Sequence, residues 1–233
     1  MCEDPSHLKH SRRQLVGIGL GLIAANAAPW RALAEAAQTD DAGDALRRLA
    51  DGNARYVAGK SQVRDYAAGR AATAQAQYPI AAILSCADSR AAPEMVFDQG
   101  IGDLFVVRVA GNYLSSSALS SLEYAIAVLK VPLIFVLGHS SCGAVKATVA
   151  EIEHPVPLPG HIWDIVDALR PGVKSAVAAG GDLDTAIAAN VDYNIGRISA
   201  AQPVISEAVR AGRVKVAGGV YDIATGLVAM RGA

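Results

Sequence analysis

Four short apolar runs constrain this chain most. They are "IAAILS" (residues 80–85), "LFVVRV" (104–109), "LIFVLG" (133–138) and "VKVAGGV" (214–220). Each is rich in β-branched or large aliphatic residues, and none alternates with polar ones, so each reads as a strand buried on both faces. Helical spacing falls between them. Leu119, Leu122, Ala125, Ile126 and Leu129 recur at three- and four-residue steps behind serines able to cap a helix. "LDTAIAANVDYNIGRISA" continues a helical pattern that runs towards Arg210. Buried strands alternating with helices predict an α/β domain, a mainly parallel sheet flanked by helices. Residues 40–60, with Leu46, Leu49 and Ala50, predict an amphipathic helix leading in. Residues 61–78 read as a connecting arm with a short helix before Pro79, completing an N-terminal helical arm. Near the other end, "GGVYDIATGLVAM" reads as a strand, a turn at Thr225-Gly226 and a short antiparallel edge strand.

The chain has 233 residues, 52% hydrophobic and 18% charged, with a formal net charge of -1. That supports one domain with a sizeable core and argues against disorder. No basic stripe is present, so a nucleic-acid surface is not expected. The first 34 residues read as an export signal and stand apart from the fold. Lys9, Arg12 and Arg13 form a basic start, Leu15 to Ala28 is apolar but short for a bilayer, and Ala32-Leu33-Ala34 is a small-x-small cleavage site. The paired Arg12-Arg13 resembles a twin-arginine signal, so export to the periplasm is expected. An ordinary secretory leader or an uncleaved amphipathic helix is the plainer alternative. The mature chain, residues 35–233, then has no stable membrane span, a small net negative charge and two cysteines, Cys86 and Cys142.

In an oxidising compartment two lone cysteines most often form a disulfide. Their surroundings argue for another use. In parallel sheets, ligands bind beyond the carboxyl ends of the strands. The first run ends in Ser85-Cys86-Ala87-Asp88-Ser89-Arg90, and the third in Gly138-His139-Ser140-Ser141-Cys142-Gly143. If those strands are neighbours, both clusters meet at one rim. Two thiolates and an imidazole suit tetrahedral zinc, with a fourth position left open for chemistry. His139 and Cys142, at i and i+3, can be aimed at one point by a turn or helix start. Gly138 and Gly143 would let the backbone bend there.

"CADSR" followed by "GHSSCGA" resembles the motif pair of the β-class carbonic anhydrases, C-x-D-S-R and H-[ST]-x-C-G-[GA]. The likeness extends through "FVVRVAGN", "EYA" and "YDIATG". Ala87 departs from it, standing where many members carry serine. The resemblance implies one zinc per chain on Cys86, His139 and Cys142, with Asp88 and Arg90 as the catalytic pair. Asp88 is then either the fourth ligand or the group that orients a hydroxide, and Arg90 holds it by a bidentate contact. It further implies a carbon dioxide pocket shared across a dimer interface, to which Gln77, Phe105 and Tyr124 correspond. As plain structure, Phe105 and Tyr124 would be core residues, Gln77 a surface amide, and Asp88-x-Arg90 a helix-capping salt bridge. In the bicarbonate-gated subtype a tryptophan precedes the first cysteine by three; here that position is Ile83. Arg108 matches that subtype's anion-site arginine, but the site is incomplete without the tryptophan, so an ungated enzyme is expected. His154 and His161 read as surface residues. The implied reaction is reversible hydration of carbon dioxide to bicarbonate, by a homodimer or higher homo-oligomer. The alternatives are hydrolysis of carbonyl sulfide or carbon disulfide on the same scaffold, and a non-catalytic zinc-thiolate protein.

Overall fold

The strand order explains how two distant motifs reach one place. The computed structural model describes residues 41–232, and the export signal read over residues 1–34 lies outside them. A five-stranded sheet runs β2-β1-β3-β4-β5. Its strands are β1 (Ala81–Ser85), β2 (Leu104–Arg108), β3 (Leu133–His139), β4 (Lys215–Tyr221) and β5 (Val228–Arg231). β1, β2, β3 and β4 pair in parallel, and β5 returns antiparallel along β4 with Tyr221 opposite Val228. Because β1 and β3 are neighbours, with Ser85 opposite Leu137, their carboxyl ends open onto the same rim.

Side chains alternate across a strand, so one run feeds two cores. Ala82, Leu84, Ile134 and Val136 face one side. There they pack with Leu122 and Ile126 of α4 (Ser116–Ala127), Val191 and Ile198 of α7 (Leu183–Ser199), and Ile205 of α8 (Val204–Arg210). Ala81, Ile83, Leu133 and Phe135 face the other, against Leu49 of α1 (Ala42–Val57) and Val96 of α3 (Pro93–Val96). Asp41 caps α1 by accepting from the Asp44 N–H at 2.8 Å. The buried face of α1 carries Ala45, Leu49, Gly52 and Asn53, so Leu46 lies beside it and Ala50 faces solvent. Asn53 ties α1 down through Val96 O at 3.0 Å, Gly226 O at 2.8 Å and the Val228 N–H at 2.9 Å. The arm contains the expected short helix, α2 (Tyr66–Thr73). It is anchored where Arg64 and Arg55 both pair with the buried Asp98 carboxylate.

Two expectations change. The run 104–109 reads as a buried strand, yet β2 is an edge strand and Phe105, Val106 and Val107 are only half-buried. The helical pattern after Leu183 does not continue to Arg210. It stops at Ser199, and α8 restarts after Pro203, whose ring cannot supply an N–H to the turn before it. Two further helices, α5 (Gly143–Glu153) and α6 (Ile162–Ala178), fill the stretch between the second motif and α7. Among the described residues no helix is long and apolar enough to cross a membrane.

Candidate metal centre

Cys86 follows β1 directly, His139 is the last residue of β3, and Cys142 sits at the N-cap of α5. One ligand atom from each lies within 4.8 Å of the others. All three residues are buried, at 4%, 0% and 1% exposure, and both cysteines are free thiols rather than a disulfide. The bend that joins His139 to Cys142 is not made by glycine. Ser141 takes the left-handed conformation (φ 56°), whereas Gly143 has an ordinary helical start. Gly138 serves close packing instead: a Cβ there would stand 2.6 Å from Val191 Cγ2. Ser140 holds the turn from both sides, its N–H donating to Tyr221 O at 2.8 Å and its hydroxyl accepting from the Ile223 N–H at 3.0 Å.

The protonation pattern suits a cation. His139 Nδ1 lies 2.9 Å from Ser140 O. A carbonyl can only accept, so Nδ1 carries the proton and the Nε2 lone pair is free. Nε2 is buried with no hydrogen-bond partner. An orphaned buried acceptor beside two sulfurs is costly unless something electropositive satisfies it. The Cys86 thiol is pushed down to about 4, chiefly by its bond to Cys142 and then by His139 and the Gly111 N–H, against the opposing effect of burial. Cys142 moves up in exchange, because it keeps the proton the pair shares and is buried. Metal binding would release that proton and leave two thiolates. Cys142 also faces the positive end of the α5 dipole. The donor set, S, S and N with one orphaned nitrogen, therefore fits zinc.

Asp88 and Arg90 meet at the mouth of this cluster. Arg90 donates through Nε to Oδ1 at 3.0 Å and through Nη2 to Oδ2 at 2.9 Å, and its main-chain N–H adds a bond to Oδ1 at 2.9 Å. These bonds hold the Asp88 carboxyl well below the usual carboxylate range. Asp88 Oδ2 stands 3.9 Å from His139 Nε2, beside the cluster and in the grip of Arg90.

Two residues at the site make contacts that have no counterpart in the motif reading. Arg108 donates to Cys86 O at 3.0 Å, to Asp88 O at 2.7 Å and to Ala91 O at 3.4 Å. Its guanidinium is thus engaged by the backbone of the loop that carries both motif residues. The Gly111 N–H donates to Cys86 Sγ at 3.2 Å. The motif-like "FVVRVAGN" contains both residues, but only the parallel pairing of β1 with β2 reveals what they touch.

The three residues matched to a pocket lie on β2, on α4 and in the segment before β1. Phe105 and Tyr124 pair, with ring centroids 6.2 Å apart, and Tyr124 is 47% exposed. Phe105 lies three residues before the end of β2, roughly 10 Å short of the rim at ~3.3 Å per residue. Gln77 is exposed in the segment between α2 and β1. His154 caps the far end of α5, and His161 is exposed beside Asp164, so both are surface residues.

The family model for carbonic anhydrase matches residues 81–228. A carbonic anhydrase of Mycolicibacterium smegmatis is 41% identical over 189 residues, covering 80% of this chain and 92% of that protein. Among solved structures, a tetrameric β-carbonic anhydrase of Sordaria macrospora superposes with a TM-score of 0.61 at 25% identity, over 69% of this chain and 84% of that one. The β-carbonic anhydrase of Coccomyxa, solved with acetazolamide, gives 0.58 at 31% identity, over 69% and 75%.

Proposed function

Because this chain belongs to the β-class carbonic anhydrase family, a family of lyases, we propose that it hydrates carbon dioxide reversibly to bicarbonate and a proton at a zinc site. Cys86, His139 and Cys142 would hold the zinc. The observation that carries this reading is the buried, unpartnered His139 Nε2 facing two free sulfurs, with an arginine-held carboxylate at the mouth. When bound there, zinc would supply a nucleophile by lowering the pKa of a water from about 15.7 to about 7.

The chain's own groups do the rest. Asp88, kept ionised by Arg90, accepts a hydrogen bond from the attacking oxygen and points its lone pair outward. Arg90 keeps Asp88 from collapsing onto the metal position. Arg108 fixes the main chain of both motif residues, so neither the sulfur nor the carboxylate drifts. Ile83 stands where the gated subtype carries a tryptophan, and Arg108 is engaged by main-chain carbonyls, which supports an ungated enzyme.

The half-buried apolar side of β2, with Tyr124 and Val128 exposed beside it, supports a homo-oligomer. A second copy laid along that edge would bring Phe105, Tyr124 and the Gln77 amide towards the partner's metal site. The tetrameric assembly named for the Sordaria protein accords with this. Residues 1–34 are proposed as a twin-arginine leader that exports the folded, zinc-loaded protein to the periplasm. Arg12→Lys with Arg13→Lys should then trap the precursor inside the cell. Equal export of that variant would remove the assignment.

The test of the reaction is paired. Carbon dioxide hydration and sulfide release from carbonyl sulfide or carbon disulfide are followed on the same zinc-assayed preparation. Hydration that disappears on chelation and returns with zinc is expected. Sulfide release without hydration would overturn the assignment, and zinc without either activity would leave a non-catalytic zinc-thiolate protein.

A further inference from the structure

Two buried asparagines on successive turns of α7, Asn190 and Asn194, are each 1% exposed. Buried amides in a helix must be satisfied, and these are satisfied by one loop and by each other. Asn194 Oδ1 accepts from the Leu114 N–H at 2.9 Å, which fixes its amide orientation. Asn194 Nδ2 then donates to Asn190 O at 2.8 Å and to Asn190 Oδ1 at 3.0 Å. That leaves Asn190 Nδ2 to donate to Gly111 O at 2.9 Å. The same peptide unit is held at its other end, where the Asn112 N–H donates to Val109 O at 2.9 Å.

Gly111 carries this fixation to the metal centre. It adopts φ 80°, and a Cβ there would stand 2.7 Å from Leu169 Cδ1. The residue is therefore wedged against α6 in a conformation that only glycine takes readily. With its carbonyl pinned, its N–H points at Cys86 Sγ, 3.2 Å away. An N–H aimed at a buried thiolate offsets part of its charge and orients its lone pairs.

We propose that Asn190 is a positioning residue for the metal centre: through the Gly111 main chain it aims an N–H at the Cys86 sulfur and so sets how tightly that sulfur holds zinc. This rests on the proposed zinc reading, but not on which substrate is turned over. The isosteric Asn190→Asp replaces the donor to Gly111 O with a carboxylate oxygen that repels it. Asn53→Asp is the matched control, a buried asparagine that ties down α1 away from the metal.

Chelator competition on the folded proteins should show zinc held about 10–100-fold more weakly in Asn190→Asp and unchanged in Asn53→Asp. In the cobalt-substituted protein, the sulfur-to-metal charge-transfer band should move to longer wavelength only in Asn190→Asp, because a thiolate stripped of its donor gives up an electron more readily. A third readout needs no variant. Wild-type protein loaded with a spin-active cadmium isotope should show scalar coupling between the metal and the Gly111 amide proton. Unchanged zinc affinity in Asn190→Asp, an equal loss in Asn53→Asp, or absence of that coupling would overturn the proposal. A wild-type protein that binds zinc yet hydrates no carbon dioxide would sink the proposed function and leave this inference standing. One that binds no zinc would sink both.

Discussion

Cys142→Ser is expected to leave a folded protein without zinc and without measurable carbon dioxide hydration. The fold should survive because serine preserves what Cys142 does structurally. Cys142 is the N-cap of α5, and serine is a preferred cap, able to accept from the N–H groups of the first turn. The site is buried, and the exchange of sulfur for oxygen changes volume little. The metal should be lost because a neutral hydroxyl replaces a soft anion that zinc prefers. Without the metal, the pKa of water returns from about 7 to about 15.7, so hydroxide at neutral pH falls by roughly eight orders of magnitude. Activity should therefore drop to background and not to an intermediate level. Circular dichroism, zinc analysis and a hydration assay on one sample check this. A zinc-free Cys142→Ser protein that still accelerates hydration would contradict it.

Arg90→Ala is expected to separate zinc binding from turnover. Arg90 touches none of the three proposed ligands, so zinc content should stay at the wild-type level. Its two side-chain bonds to Asp88, 3.0 and 2.9 Å long, are what hold the carboxylate in place. Asp88 Oδ2 is only 3.9 Å from His139 Nε2, so a small rotation brings it to the metal's open position. Hydration should fall by about 10²–10⁴-fold, the usual contribution of a positioned proton acceptor. X-ray absorption of the zinc should then show a carboxylate oxygen in the fourth place. Arg90→Lys should not restore the rate, since a single ammonium cannot make the bidentate fork. Full activity in Arg90→Ala would mean that Asp88 needs no restraint, and the pair would be a surface salt bridge.

Much of this was readable because the chemistry is local. Each motif follows a strand end within a few residues, and the apolar runs before Cys86 and His139 are unmistakable strands. The neighbour relation of β1 and β3 was a condition in the sequence and a fact in the structure. What escaped the sequence depended on long-range packing. An edge strand with an apolar side looks like a central one in sequence, which is why 104–109 read as buried. α6 carries Val166, Leu169, Val173 and Ala176 on its buried face, a helical spacing, but Pro171 in its middle disguises it. The left-handed bend was assigned to glycine on general grounds and falls on Ser141, whereas Gly138 serves close packing against Val191. Asparagine within a helix reads as solvent-facing. Only the fold reveals that Asn190 and Asn194 reach a loop about eighty residues earlier.

The central claim is that one zinc ion joins Cys86, His139 and Cys142. Anomalous X-ray diffraction from crystals of the active protein, recorded on both sides of the zinc absorption edge, tests it most directly. One peak per chain is expected, within ~2.3 Å of both sulfurs and ~2.1 Å of His139 Nε2. An active crystal with no peak there, or with the two sulfurs joined to each other, would contradict it.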